Sequence, residues 1–295
     1  MMPPWAIYRH DVRALASSWL VRLWLAATAV LTLLVLAVAW NQQPTTVLIA
    51  TLVFPYLILP WSLVVMVLSV RPVAGAEAEA VADGLLSRPV TRYEYMLASW
   101  AARTTVVLAV YLGVVLPAVL LVCFADRPVA GDAPAVYGTI AGLGLVGLVL
   151  TFLVSIGFFL GTLLRNQWLA VIVLVFLWLP VNGILDTFSL EEISPISLTR
   201  ALPTLLQRPW KEPDEKMTEE PPDLKAVAEE ATRFFAFLGG SPPPKPKPKP
   251  KPRQEEFFDP EAFQDVRVSR LVLGYGLPTV LALSLAIGCF CLRDL

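Results

Sequence analysis

Along this chain, apolar and polar residues come in blocks rather than with a short period. No Asp, Glu, Lys or Arg occurs over 23–70, 104–125, 133–164, 166–185 or 271–292. A helix needs about 20 apolar residues to cross the hydrocarbon core of a bilayer, so each run suffices for at least one crossing. The first run is long enough for two. Trp40-Asn41-Gln42-Gln43-Pro44-Thr45-Thr46 interrupts it, and amides beside a proline mark a turn while Trp40 suits a membrane interface. The pattern predicts spans near 23–39, 47–70, 104–125, 136–164, 167–187 and 270–291. None alternates with period two, which argues against a β-barrel. The expected fold is an all-α membrane protein with six transmembrane helices.

Lys and Arg in short loops set orientation. Arg9, Arg13 and Arg22 precede span 1. Arg71, Arg88, Arg92 and Arg103 follow span 2, Arg165 follows span 4, and Arg293 follows span 6. On the opposite side the 41–46 turn has none and the 126–135 loop only Arg127. The other basic residues belong to the long segment before span 6, and long loops translocate largely regardless of charge. Both termini are therefore expected in the cytoplasm. Residues 37–39 resemble a signal-peptidase site, but the apolar run before them is longer than most signal h-regions. Span 1 is read as retained.

Outside the spans, Trp5, Tyr8, Val12, Leu15 and Trp19 recur at helical spacing, opposite Arg9, Arg13 and Ser17. This predicts an amphipathic interface helix on the cytoplasmic face. After span 2, 74–82 is rich in Ala and Glu and reads as helix, which Asp83-Gly84 breaks. Thr91 stands three residues before Glu94, a capping-box spacing, so a second helix should start there and run through Tyr95, Trp100 and Arg103 into span 3. The result is a cytoplasmic helix-turn-helix between spans 2 and 3. Leu85 and Leu86 at its turn suit either a docking knob for another protein or a tuck against the membrane.

A large extracytoplasmic loop separates spans 5 and 6. Ser194 to Trp210 is expected to pack against the outer membrane surface. Residues 223–238 carry an apolar helical face ending at Gly239-Gly240. Residues 242–252 alternate Pro and Lys, which favours a stiff polyproline II rod. The domain reading is 1–210 for spans 1–5 with the cytoplasmic loop 71–103, 211–256 for the extracytoplasmic insert, and 257–295 for a lead-in helix and span 6.

Composition narrows the chemistry. The chain is 56% hydrophobic and 16% charged, with net charge -1, so no basic field recruits nucleic acid. His10 is the one histidine, which disfavours histidine-dependent hydrolases and zinc proteases. No carboxylate falls within the charge-free runs, which weakens proton-coupled transport. Pro55, Pro60, Pro117, Pro180 and Pro278 could each interrupt a span, by ordinary kinking or to expose carbonyls for a sodium ion. No G-x-x-x-x-G-K-[ST] phosphate loop is present. Cys123, Cys289 and Cys291 lie within spans and predict no disulfide framework or metal site. No catalytic, cofactor-binding or metal-binding residue is expected in this chain. Gly138/Gly142 and Gly157/Gly161 form G-x-x-x-G pairs in span 4, which permit close helix approach within the chain or at a dimer seam.

One segment carries a resemblance. Gly84-Leu85-Leu86-Ser87-Arg88-Pro89-Val90-Thr91-Arg92-Tyr93-Glu94-Tyr95 resembles the "LLS-x-PVSR-x-E" stretch of ABC-2 type permease subunits, with Thr91 in place of the usual Ser. Leu164-Arg165-Asn166-Gln167 is similar to their short "RN" turn, and Ser194-Pro195 and the Arg293-Asp294-Leu295 ending fit. With the order of spans and loops, the chain is similar to the branch grouped with multicopper-enzyme-maturation and gliding-motility permeases. Residues 211–256 have no counterpart. The resemblance implies a permease subunit that pairs with a second permease subunit, as homo- or heterodimer, and with cytoplasmic P-loop ATPases that bind ATP and Mg. Gly84, Leu85, Leu86, Ser87, Arg88, Pro89, Val90, Thr91, Arg92 and Glu94 would form the ATPase-coupling loop, flanked by the Trp5–Trp19 helix. The competing expectation is a non-transporting membrane scaffold whose Pro-Lys segment engages an envelope partner; a secondary transporter driven by an ion gradient ranks below both.

Overall fold

The computed structural model describes residues 3–58, 60–70, 91–125, 134–164, 166–176, 195–207 and 268–292. The helices expected over 74–82 and 223–238, the segment 84–90 and the Pro-Lys stretch 242–252 lie outside these residues.

Nine helices make up the described part: α1 (Pro3–Ser17), α2 (Trp19–Ala39), α3 (Thr45–Leu57), α4 (Trp61–Val70), α5 (Arg92–Phe124), α6 (Val136–Leu163), α7 (Gln167–Phe176), α8 (Pro195–Leu206) and α9 (Val268–Cys291). No strand occurs among the described residues. Helices α2, α5, α6 and α9 are long and apolar enough to cross a membrane, and α3 with α4 makes up to a fifth crossing, bent by 41°. This is the architecture of a multi-pass membrane protein.

Local chemistry explains the element ends. Ser18 separates α1 from α2, its hydroxyl accepting from the Val21 amide at 3.4 Å. Asn166 opens α7 by accepting from the Trp168 amide at 3.0 Å. Pro60 has no amide hydrogen to continue the ladder and disfavours helical backbone before it. Two residues earlier, Ile58 is extended at φ -114° and ψ 162°, and helical bonding resumes from Ser62 N to Ile58 O at 3.3 Å. Pro55, Pro117 and Pro278, which the sequence offered as further interruptions, sit inside continuous helices. Neighbouring helices can re-satisfy the carbonyls that such prolines free.

Helices α3 and α6 form the middle of the bundle. Helix α6 packs against α4, α5, α8 and α9, and α3 against α2, α5, α6 and α8. Peripheral helices bury one stripe each: Val21, Trp24, Thr28, Thr32 and Ala39 on α2, and Leu271, Tyr275, Thr279, Ala282 and Ala286 on α9. Their other faces expose Leu33, Leu34, Leu277 and Val280. In water such faces would drive aggregation; in lipid they are solvated.

Two expectations change. The apolar face expected to rest on the outer membrane surface packs on protein: α8 is wedged between α3 and α6. Leu198, Thr199, Ala201, Leu202, Leu205 and Leu206 are all buried, and the Ala135 amide donates to the Leu206 carbonyl at 2.9 Å. Its exposed Arg200 leaves an apolar stripe, and the same amphipathic pattern fits a stripe packed on protein or one resting on a membrane. The α1 stripe is also rotated. Ile7 is buried and Tyr8, Asp11, Val12 and Leu15 are half-buried, while Trp5 is 55% exposed and Trp19 is 77% exposed and belongs to α2.

Candidate functional site

Helix α5 is 33 residues long, but only its part beyond Arg103 is free of charge. Its first turns gather α1, the far end of α6 and the end of α9 around them. Thr91 begins this region as N-cap in a complete capping box. Its amide donates to Glu94 Oε2 at 3.1 Å, which satisfies donors that the first helical turn leaves open. The Arg92 guanidinium donates to the Cys291 carbonyl at 3.3 Å, so the end of α9 lies beside the start of α5. A cation there also complements the negative end of the α9 dipole.

Helix α1 docks alongside. Tyr8 Oη donates to Thr105 Oγ1 at 3.1 Å, and Ser99 Oγ donates to Asp11 Oδ2 at 2.8 Å. Val12 and Leu15 pack on the core beneath, and Trp5 stacks on Tyr8 with ring centroids 5.2 Å apart. The N-terminal helix, the start of α5 and the end of α9 thus share one end of the bundle, opposite the end where α8 meets Gly138.

One turn beyond Ser99 lies the most unusual side chain of the molecule. Arg103 is 1% exposed. Its guanidinium stands over the Phe158 ring at 4.9 Å, and Phe158 itself clusters with Met96, Trp100 and Phe290. Trp100 is fixed by donating its indole N–H to Ser155 Oγ at 2.9 Å. Among the described residues, Arg103 Nε and Nη1 have no hydrogen-bond partner, and no carboxylate forms an ion pair with it. The carboxylate whose field reaches it is that of Asp11. A desolvated cation–π contact contributes about 2 kcal/mol, whereas burying an ion costs several kcal/mol. Phe158 alone therefore does not offset the burial, and α1 completes the site by bringing Asp11.

Sequence reasoning counted Arg103 only as a loop charge that sets orientation, and passed over Asp11. The available signals were its position as the last charge before 104–125, and Asp11 next to Val12 on the inner side of α1.

The remaining candidate residues distribute as follows. Of the coupling-loop residues, Thr91, Arg92 and Glu94 stand at the α5 start; Gly84, Leu85, Leu86, Ser87, Arg88, Pro89 and Val90 are outside the described residues. The four α6 glycines of the G-x-x-x-G pairs face other helices of the same chain. A Cβ on Gly138 would meet the backbone carbonyls of Leu205 and Leu206, and one on Gly142 would come within 3.4 Å of the Leu206 side chain. At the other end of α6, a Cβ on Gly157 would lie 2.6 Å from Ser69 Cβ, and one on Gly161 3.0 Å from the Val70 carbonyl. Among the described residues, no three His, Cys, Asp or Glu side chains come together as metal ligands.

No protein-family model matches the chain, and no curated protein or solved structure matches it at a significant level.

Proposed function

We propose that this chain is the membrane-spanning permease subunit of an ATP-binding cassette transporter of the ABC-2 type, working with a separate cytoplasmic ATPase and a second permease subunit. The observation that carries the reading is the length of α5. At about 1.5 Å per residue its 33 residues extend about 50 Å, against about 30 Å of hydrocarbon. The excess is the charged part with α1 docked on it, a rigid stalk for the segment 84–90 that leads into the Thr91 cap. Transport without an ATP-binding motif in the chain requires energy from a partner, and a stalk at that place is a means of receiving it.

In this reading the chain crosses the cytoplasmic (inner) membrane six times. The spans are α2, the bent pair α3–α4, α5, α6, α7 continued by the apolar residues after it, and α9. Both termini and the 71–103 loop face the cytoplasm, and the insert 211–256 faces outward. Closure of the ATPase pair would move the stalk and, through α5, tilt α6 and α9 packed against it.

The test is purification of the full chain in mild detergent, with identification of what co-purifies. The expected result is a stoichiometric P-loop ATPase, released by Leu85→Asp/Leu86→Asp. An ATPase that stays bound to that variant would move the docking site elsewhere. Absence of any ATPase from the wild type, even after cross-linking, would overturn the permease in favour of a scaffold acting through its Pro-Lys segment.

A further inference from the structure

We propose that the contact between α1 and α5 at Arg103 is a binding site for a phosphate group at the membrane surface, with the Arg103 guanidinium as its ligand and α1 as its cover. The inference rests on the membrane placement of the helices and not on the permease reading.

The guanidinium is an electrostatically incomplete group. It is buried, it touches an aromatic face, and two of its N–H-bearing nitrogens, Nε and Nη1, have no acceptor among the described residues. A buried charge normally has a hydrogen-bonded counter-ion. Asp11 does not fill that role directly, because its Oδ2 accepts from Ser99 and its Oδ1 lies 3.5 Å from His10 Nδ1. The chemistry left open is an oxygen acceptor with negative charge, and the planar guanidinium fork matches the oxygens of a phosphate.

The location suits a phosphate carried by the membrane. Arg103 is the last charge before the apolar run that begins at Thr104, which sets it near the level of lipid headgroups. Tyr8, Trp19 and Trp100, aromatic residues of the kind enriched at that level, lie on the elements around it. Access is governed by α1, which is attached to α5 by side-chain hydrogen bonds from Tyr8 to Thr105 and from Ser99 to Asp11. Its outer face exposes Arg9 and Arg13, with Arg22 exposed at the start of α2. These three cations favour an anionic surface. Lifting α1 removes the Asp11 carboxylate from the neighbourhood of Arg103 and frees the guanidinium for another anion, so Asp11 and the phosphate compete.

The experiment uses the full chain, delipidated in neutral detergent. Dihexanoyl-phosphatidylglycerol, inorganic phosphate and zwitterionic dihexanoyl-phosphatidylcholine are each titrated, with bound mass read by native mass spectrometry and stability by thermal shift. The wild type should bind the anionic lipid in preference to the zwitterionic one, and Arg103→Gln should weaken that binding by about tenfold or more. Because Arg103→Gln disturbs a buried position, two further variants leave the ligand intact. Asp11→Asn and Tyr8→Phe should each strengthen binding, the first by removing the competing charge and the second by loosening the cover. Binding of inorganic phosphate as well as phosphatidylglycerol would assign recognition to the phosphate group itself; binding of the lipid alone would assign it to the headgroup in its leaflet. Binding of neither, equal retention by Arg103→Gln, or no change in Asp11→Asn and Tyr8→Phe would overturn the proposal.

Discussion

Two alanine substitutions on one helix should have opposite effects. In Gly138→Ala the new methyl group meets the Leu205 and Leu206 carbonyls of α8, whereas in Gly144→Ala it meets nothing within 4 Å. Both variants gain the same helix propensity, at most about 1 kcal/mol, so that contribution cancels in the comparison. What remains is overpacking at Gly138, which costs about 1–3 kcal/mol when a methyl group is forced into a filled core. Here the obstacle is backbone, so relief requires moving α8 as a unit, and the upper half of that range is expected. In a chain of this size each kcal/mol shifts Tm by about 2–4 °C. Gly138→Ala should therefore melt several degrees below Gly144→Ala, with Gly144→Ala at or above the wild type. Gly157→Ala, facing Ser69 Cβ at 2.6 Å, should fall between them. The assay is thermal unfolding of the detergent-purified protein followed by tryptophan fluorescence. Equal losses in both variants, or a larger loss in Gly144→Ala, would refute the assignment of these glycines to packing within the chain.

Four further outcomes follow from the packing and the helix caps. Ser155→Ala leaves the Trp100 indole N–H without its acceptor and should destabilise by about 1–3 kcal/mol. Ser62→Ala removes a buried hydroxyl that has no partner and should be neutral or stabilising in the same melt. Leu202→Ala in α8, at a position 1% exposed, should cost about 2–5 kcal/mol, a loss that a helix resting on the membrane surface would not show. Thr91→Ala removes the α5 N-cap and should cost about 0.5–2 kcal/mol, seen as faster amide exchange confined to the first turn of α5.

The helical membrane class was legible because charge-free runs of span length have few other uses. The start of α5 was legible because Thr91 and Glu94 act on neighbouring backbone, and the glycine pairs because a missing side chain permits close approach. All of these are local or compositional signals.

What the sequence left open has one physical origin. In water, burial and polarity go together, so an apolar stripe points to the core. In a bilayer the lipid is as apolar as leucine, and hydropathy no longer separates the inner face from the outer one. That is why α8 could be read as a surface segment although it is buried on nearly every side, and why Trp5 and Trp19 were counted with the α1 stripe although they point outward. The pairing of α1 with α5 joins Asp11 to Ser99 across 88 positions of sequence, and no local pattern announces it. Sequence determined that these helices belong in a membrane; only their tertiary packing decided that Arg103 is shut inside with two of its donors unused, because burial of a charge depends on what its neighbours cover.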